Sequence, residues 1–256
     1  MVKDYAQLAK LGVFSMTDAT AMTGNVHTAR TMVARFVERG LVRKIRSDMY
    51  AAVNLATGGV IPSKFRIACA INNSAYLTHH TAFEYYGLTN QVYYEVYAAS
   101  VPKFDTFEFE GITYKRVAPK IDVGIVEPPN TIGIRVTDLE RTVVDSINDI
   151  ERIGGFEELL NCLSSIPYLD EIKLKIYLDA YKVRGLYQKT GYLLEHFMEE
   201  LQLSREFIEY CRSQIENSTR YFLTKPRNGG VYVKEWKLIV PEGLFEAAGY
   251  GGGLLV

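Results

Sequence analysis

Eight residues near the N-terminus have the types and spacing to read a nucleic-acid duplex: His27, Thr28, Arg30, Thr31 and Arg35, then Arg43, Lys44 and Arg46. On a helix, positions 27, 28, 31 and 35 share one face, with Arg30 at its flank. A threonine hydroxyl donates or accepts a hydrogen bond and its methyl can touch thymine, while an arginine fork fits guanine or a phosphate. Arg43, Lys44 and Arg46 fall on an extended run, where cations add phosphate attraction more than sequence information.

Other groups suggest different chemistry less well. Adjacent helix residues such as His79 and His80 point roughly 100° apart, so they do not grip one ion together. His80 and Glu84 offer two ligands without a third, and a satisfied or surface histidine pair is the expected state. Asp105, Glu108, Asp122 and Glu127 lie on expected strands and could hold Mg²⁺ in a nuclease-like sheet, but no lysine accompanies them at a fixed offset. There is no Gly-rich phosphate loop, zincin motif or nucleophile elbow. The reading is therefore of a non-enzyme, with no catalytic residue, metal or cofactor. In Thr137-Asp-Leu-Glu140, Thr137 is expected to cap a helix while Glu140 reaches back. Arg141 and Asp145, four apart, are expected to pair, the alternative being a polar contact surface for a partner.

These residues need elements to hold them. Tyr5, Leu8 and Leu11 mark a helix over 3–11, and a second runs over about 17–22 with Ser15 or Thr17 as its cap. Gly24 breaks the chain and Asn25 caps a third helix, which carries the apolar stripe Val26, Ala29, Val33, Phe36 and Val37 and ends at Gly40 as a left-handed cap. Two extended runs follow around Ser47-Asp48, a hairpin signal. Three helices and a hairpin in this order make a winged helix-turn-helix over residues 1–56, joined by a linker at 54–62 to a larger domain over 63–250. That domain is expected to open with helices at 63–71 and 79–86. Strands are read near 93–99, 104–109, 112–117, 121–126 and 131–136. Helices with dense stripes (Leu169, Ile172, Ile176 and Ala180 on the first) follow over 169–183, 188–203 and 204–216, broken near Gly154-Gly155, Pro167 and Gly185. A closing β segment covers 221–223 and 231–240. The fold class is α+β: a winged helix, then a mixed α/β domain with a central, mostly antiparallel sheet and a helical segment.

Composition agrees with a folded chain. Of 256 residues, 48% are hydrophobic and 12% aromatic, enough apolar surface to offset ordering entropy. The net charge of −1 conceals an asymmetry. Residues 1–54 carry Lys3, Lys10, Arg30, Arg35, Arg39, Arg43, Lys44 and Arg46 against Asp4, Asp18, Glu38 and Asp48. A basic head on an acidic body suggests a polyanion at one end. Cys69, Cys162 and Cys211 are odd in number and form no CxxC, so neither a disulfide framework nor a zinc ribbon is expected. With no signal peptide and no apolar run of membrane-spanning length, a cytoplasmic protein with no membrane partner is expected.

Several patches resemble the AbiEi family of antitoxins, transcriptional regulators of abortive-infection systems. They are Gly40-Leu-Val-Arg-Lys-Ile-Arg-Ser-Asp-Met-Tyr50, like the family's wing, and Ala75-Tyr-Leu-Thr-His-His-Thr-Ala-Phe-Glu-Tyr-Tyr-Gly-Leu88 after the linker. Arg135-Val-Thr-Asp-Leu-Glu-Arg-Thr-Val-Val-Asp145 is the most specific, followed by Gly191-Tyr-Leu-Leu-Glu195, Leu223-Thr-Lys-Pro226 and Trp236-Lys-Leu-Ile-Val240. The resemblance implies an antitoxin that represses its own operon by binding double-stranded DNA at an inverted-repeat operator. Its C-terminal domain would counteract a nucleotidyltransferase toxin, as in type IV systems, without requiring a stable complex. The wing has Arg46-Ser-Asp-Met-Tyr50 where the commoner form is Arg-Gly-Val-Tyr, and Asp48 there would repel a phosphate. The alternatives are a ligand- or partner-responsive transcription factor unrelated to a toxin and, less favoured, a nuclease targeted by a winged helix.

Overall fold

The computed structural model describes residues 2–223 and 230–245. Thr224 to Pro226 of one family-like patch and the terminal Gly251-Gly252-Gly253 lie outside them. In chain order the elements are α1 (Val2–Leu11), β1 (Val13–Phe14), α2 (Met16–Thr23), α3 (Val26–Glu38), β2 (Val42–Arg46), β3 (Met49–Ala52), α4 (Lys64–Cys69) and β4 (Tyr76–Leu77). Then come α5 (His80–Tyr85), β5 (Glu95–Ala99), β6 (Phe107–Phe109), β7 (Ile112–Val117), β8 (Ile125–Val126) and β9 (Val136–Thr137). The rest is α6 (Leu139–Asn148), a 3-10 turn (Ile150–Ile153), α7 (Phe156–Ser164), α8 (Glu171–Tyr181), α9 (Arg184–His196), α10 (Arg205–Ser213), β10 (Arg220–Tyr221), β11 (Val231–Val233) and β12 (Leu238–Val240). Contacts divide the chain into two compact units. Met1–Leu77, Tyr93–Pro119 and Glu127–Val136 form the first; Thr78–Val92, Lys120–Val126 and the chain from Thr137 form the second. The first unit thus holds residues on both sides of the expected 54–62 linker.

In the first unit, local chemistry sets each helix boundary. Ser15 opens α2 with a capping box: its hydroxyl accepts the Asp18 N–H at 3.2 Å and the Asp18 carboxylate accepts the Ser15 N–H at 2.7 Å. Gly24, at φ 70°, closes α2, and Asn25 opens α3 by accepting the N–H groups of His27 and Thr28 at 2.8 and 3.1 Å. At the far end Gly40 is left-handed (φ 68°); its N–H reaches Val37 O at 3.0 Å and that of Leu41 reaches Phe36 O at 2.9 Å, a Schellman closure. Ala29, Val33 and Phe36 pack with Leu8, Phe14, Ala19 and Val42. The buried stripe is narrower than expected, because Val26 and Val37 remain 39% and 40% exposed. They lie about 60–80° around the helix from Ala29, beyond the arc the neighbouring elements cover.

A three-stranded sheet ordered β1-β3-β2 completes this core, with Val13 opposite Ala51 and Val42 opposite Ala52. The unit's remaining strands follow the order β6-β7-β5-β4-β9 within a six-stranded sheet. It is mixed rather than mostly antiparallel: β6·β7 and β4·β5 are antiparallel, whereas β5·β7 and β4·β9 are parallel. The cause is connectivity. The chain leaves β5, forms the edge strand β6, and returns through the Glu110-Gly111 turn, so β7 must run in the direction of β5. The expected strand over 121–126 shrinks to Ile125–Val126, and that near 131–136 to Val136–Thr137.

The second unit is a helical core closed by three short strands ordered β10-β12-β11. Its helices bury Val143, Val144, Leu159, Leu160, Leu193, Leu194, Phe207 and Cys211 almost completely. Asp138, not Thr137, caps α6, its carboxylate accepting the Arg141 N–H at 2.9 Å. Glu140 does not turn back either. It accepts the Asp170 N–H at 3.0 Å and lies 3.4 Å from Lys173, fastening the start of α8. On α8 the buried residues are Leu174, Tyr177 and Leu178, while Ile172 and Ile176 are 71% and 49% exposed, contrary to the expected stripe. The winning face carries Tyr177 and Tyr181, whose hydroxyls reach Asp138 and Asp145. The break before α9 falls at Lys182, left-handed at φ 54°, rather than at Gly185, which lies inside the helix. Trp236, 1% exposed, packs on Gly191, where a Cβ would sit 2.1 Å from the indole. Two of the family-like patches therefore meet in one packing contact.

Candidate nucleic-acid interface

The capped start of α3 presents His27, Thr28, Arg30, Thr31 and Arg35 as exposed residues. Their side chains form no hydrogen bond or ion pair among the described residues. His27, Thr28, Thr31 and Arg35 border one open groove of about 660 Å³, floored by Met22, Met32 and Phe36, with Asp4 also on its lining. The residues are brought together because Ala29, Val33 and Phe36 tie the opposite face to the core. An unpaired polar face of this kind can exchange water for other hydrogen-bonding groups at small cost.

The three hairpin cations behave differently from one another. Lys44 is exposed. Arg43 pairs with Glu110 at 2.5 Å and donates to Gly58 O at 2.7 Å. Arg46 places its guanidinium 5.1 Å from the centre of the Phe107 ring and 5.9 Å from that of Phe104, with Nη1 buried and unbonded. Glu110 and Arg43 are each 41% exposed, so that pair contributes roughly 0–1 kcal/mol and can open for a stronger anion. Asp48, expected to repel phosphate, sits at φ 53° in the turn and accepts the Met16 N–H at 2.8 Å. Its charge meets the positive end of α2.

Sequence reading missed two arginines beside the hairpin. Arg66 and Arg135 line, with Arg46, an open cleft of about 920 Å³ that also holds Asp18, Asp48 and Glu127. Arg135 is occupied by carbonyls at the end of α4, including Asn72 O at 3.0 Å and Cys69 O at 3.2 Å. Arg66 lies over Gly133, so closely that a Cβ there would be 2.7 Å from its Cζ. Residues so far apart in the chain share no local pattern, so only the fold reveals their grouping.

The second polar constellation belongs to the second unit and is buried. Arg141 is 1% and Asp145 3% exposed, and they pair as expected, Nε to Oδ1 at 2.6 Å. Arg141 also donates to Val123 O and, at 3.3 Å, to Ile121 O. Asp145 accepts in addition from the hydroxyls of Tyr181 and, at 3.2 Å, Thr78. Thr78 Oγ1 lies 2.9 Å from His79 Nδ1. With the single hydroxyl proton directed to Asp145, Nδ1 must carry the imidazole proton and donate to Thr78. Burial lowers the pKa of His79 to about 4, keeping the ring neutral. This is internal scaffolding, so it offers no surface to a partner.

His80 is likewise buried, with Thr81 Oγ1 3.4 Å from Nδ1. Among the described residues no group of three His, Cys, Asp or Glu side chains could hold a metal ion. The three cysteines are buried free thiols, each with its pKa raised by burial, that of Cys211 to about 12. No helix among the described residues is long and apolar enough to cross a membrane.

Helices combined with several short-stranded sheets define a mixed α+β protein. The fold is similar to that of the RV2827C protein from Mycobacterium tuberculosis, whose crystal structure matches with a TM-score of 0.67 over 96% of this chain and 93% of that one. At 12% identity the likeness is one of fold. No family model and no curated protein matches the sequence.

Proposed function

We propose that residues 1–56 form a winged helix-turn-helix that binds double-stranded DNA, with α3 in the major groove and the β2–β3 hairpin beside it. The single observation that carries this reading is the exposed, unpaired face His27, Thr28, Thr31 and Arg35 at the capped start of α3. A recognition helix uses its N-terminal residues on base edges. Support also comes from the order of elements and from the basic excess of this segment. Lys44 is the cation best placed for phosphate, with Arg43 and Arg46 recruited from Glu110 and Phe107. We further propose, on the resemblance alone, an antitoxin that represses its own operon at an inverted repeat and counteracts a nucleotidyltransferase toxin. A ligand-responsive regulator is the second reading, favoured by the arginine-lined cleft that the hairpin tip borders.

Gel-shift titrations of the full chain on its own upstream DNA test the first proposal. Saturable, sequence-selective binding that an Arg35/Lys44/Arg46 triple alanine variant loses is expected; unchanged affinity in that variant overturns it. Growth on co-expression with the neighbouring gene tests the second. Rescue by the full chain supports an antitoxin, and equal toxicity with and without it refutes one.

A further inference from the structure

Within the second unit, α9 and β10 assemble a group of cations that nothing above uses. Lys189 is half-buried on α9, and its ammonium has no hydrogen bond or ion pair among the described residues. Arg220, at the start of β10, is equally without a side-chain partner there. Its side chain lies flat on α9 at Gly185, where a Cβ would be 2.7 Å from Arg220 Cδ and 3.0 Å from Nε. Residues 185 and 189 are one helical turn apart on the same face, so the missing side chain at 185 sets the guanidinium beside the lysine. Both line an open cavity of about 420 Å³ together with Asn148, Thr219 and Tyr221. Lys189 also borders an adjoining cavity of about 400 Å³. The carboxylates there do not compensate it: Asp149 pairs with Arg152 at 2.5 Å, and Glu151 is exposed to solvent.

Two like charges held side by side, one partly desolvated, cost free energy that a bound anion would recover. The lysine registers that cost, since burial and the Arg220 charge together lower its pKa. We infer that the cavity bounded by Lys189, Arg220, Thr219 and Asn148 binds a phosphate-bearing small molecule. The chemistry selects phosphate. Two cations match a dianion, an arginine fork takes two of its oxygens, and a hydroxyl and a carboxamide supply further donors. A carboxylate would leave part of that donor set idle. The cavity volume is that of a small-molecule site.

The test uses the full chain and inorganic pyrophosphate as probe, at constant ionic strength set with chloride. Calorimetry should show saturable binding, with a rise in thermal midpoint. The Lys189 ammonium, followed by NMR, should titrate at higher pH in the bound protein. Lys189→Gln and Arg220→Gln should each weaken binding by about tenfold or more, the scale of a lost charge-assisted hydrogen bond. Arg184→Gln, changing a cation paired with Glu216, should leave it unaltered. Lys189→Gln should unfold no earlier than the parent, because it relieves repulsion. Absence of saturable binding to the parent, or binding by both cavity variants as tight as the parent's, overturns the proposal.

Discussion

Helices α3 and α6 are both amphipathic and both begin with a side-chain cap, yet they treat their polar residues in opposite ways. On α3, Thr28, Thr31 and Arg35 point outward with no partner among the described residues. On α6, Arg141 and Asp145 are buried, and between them bind Ile121 O, Val123 O, Thr78 and Tyr181. The contrast teaches which arginines to associate with function. Arg141 lies in the 135–145 patch that stands out in the sequence, but each of its three guanidinium nitrogens is already bonded within the fold. The capacity of Arg35 is untouched.

The largest effect should come from breaking the buried network. Arg141→Ala leaves Asp145 as an uncompensated interior charge, and a loss of about 3–5 kcal/mol is expected in urea unfolding. A loss below about 1 kcal/mol would place the pair among ordinary surface ion pairs and dissolve the contrast. Next comes pH. The pKa of His79 in the folded chain is lowered to about 4 from 6.5, so the unfolded state binds the extra proton between those values. Its contribution is full above pH 6.5 and is lost as pH falls towards 4, to the extent of about 3 kcal/mol. Urea midpoints of the parent and of His79→Gln across this window should therefore converge in acid; parallel curves would contradict the neutral, Thr78-bonded ring.

On the other side of the comparison, Arg35→Ala should leave unfolding unchanged and weaken binding to the selected DNA by about 1–3 kcal/mol, relaxing preference at one base pair. Loss of stability without loss of selectivity would move Arg35 into the scaffold. The smallest effect separates two hairpin cations. Lys44→Ala should weaken all sequences alike and reduce the salt slope by about one, whereas Arg43→Ala should change the slope less, because Glu110 already competes for Arg43. Equal slopes in gel-shifts at several salt concentrations would show that Arg43 abandons Glu110 on binding.

Much of the first region was legible because its signals are local. Ser15, Gly24, Asn25 and Gly40 bound their helices by chemistry that acts within four residues. The Arg141–Asp145 pair was legible for the same reason. What the sequence concealed depends on distant partners. Thr137 and Asp138 are both competent caps, and the position of Tyr177 favours Asp138. Two apolar faces compete on α8, and the one carrying the tyrosines is buried. The occupation of Arg43 and Arg46 required Glu110 and Phe107 from more than sixty residues away, whereas the mixed sheet follows from the excursion of β6 to the edge between β5 and β7 in the chain. Lys189 gave no signal at all, since its partner Arg220 is reached only through the return of the chain against Gly185.

The pairing of Leu77 with Val136 has a genetic consequence. Between those residues the chain twice supplies segments, Thr78–Val92 and Lys120–Val126, to the other unit. No single cut separates the two units, so one crossover within the gene could not exchange either of them whole.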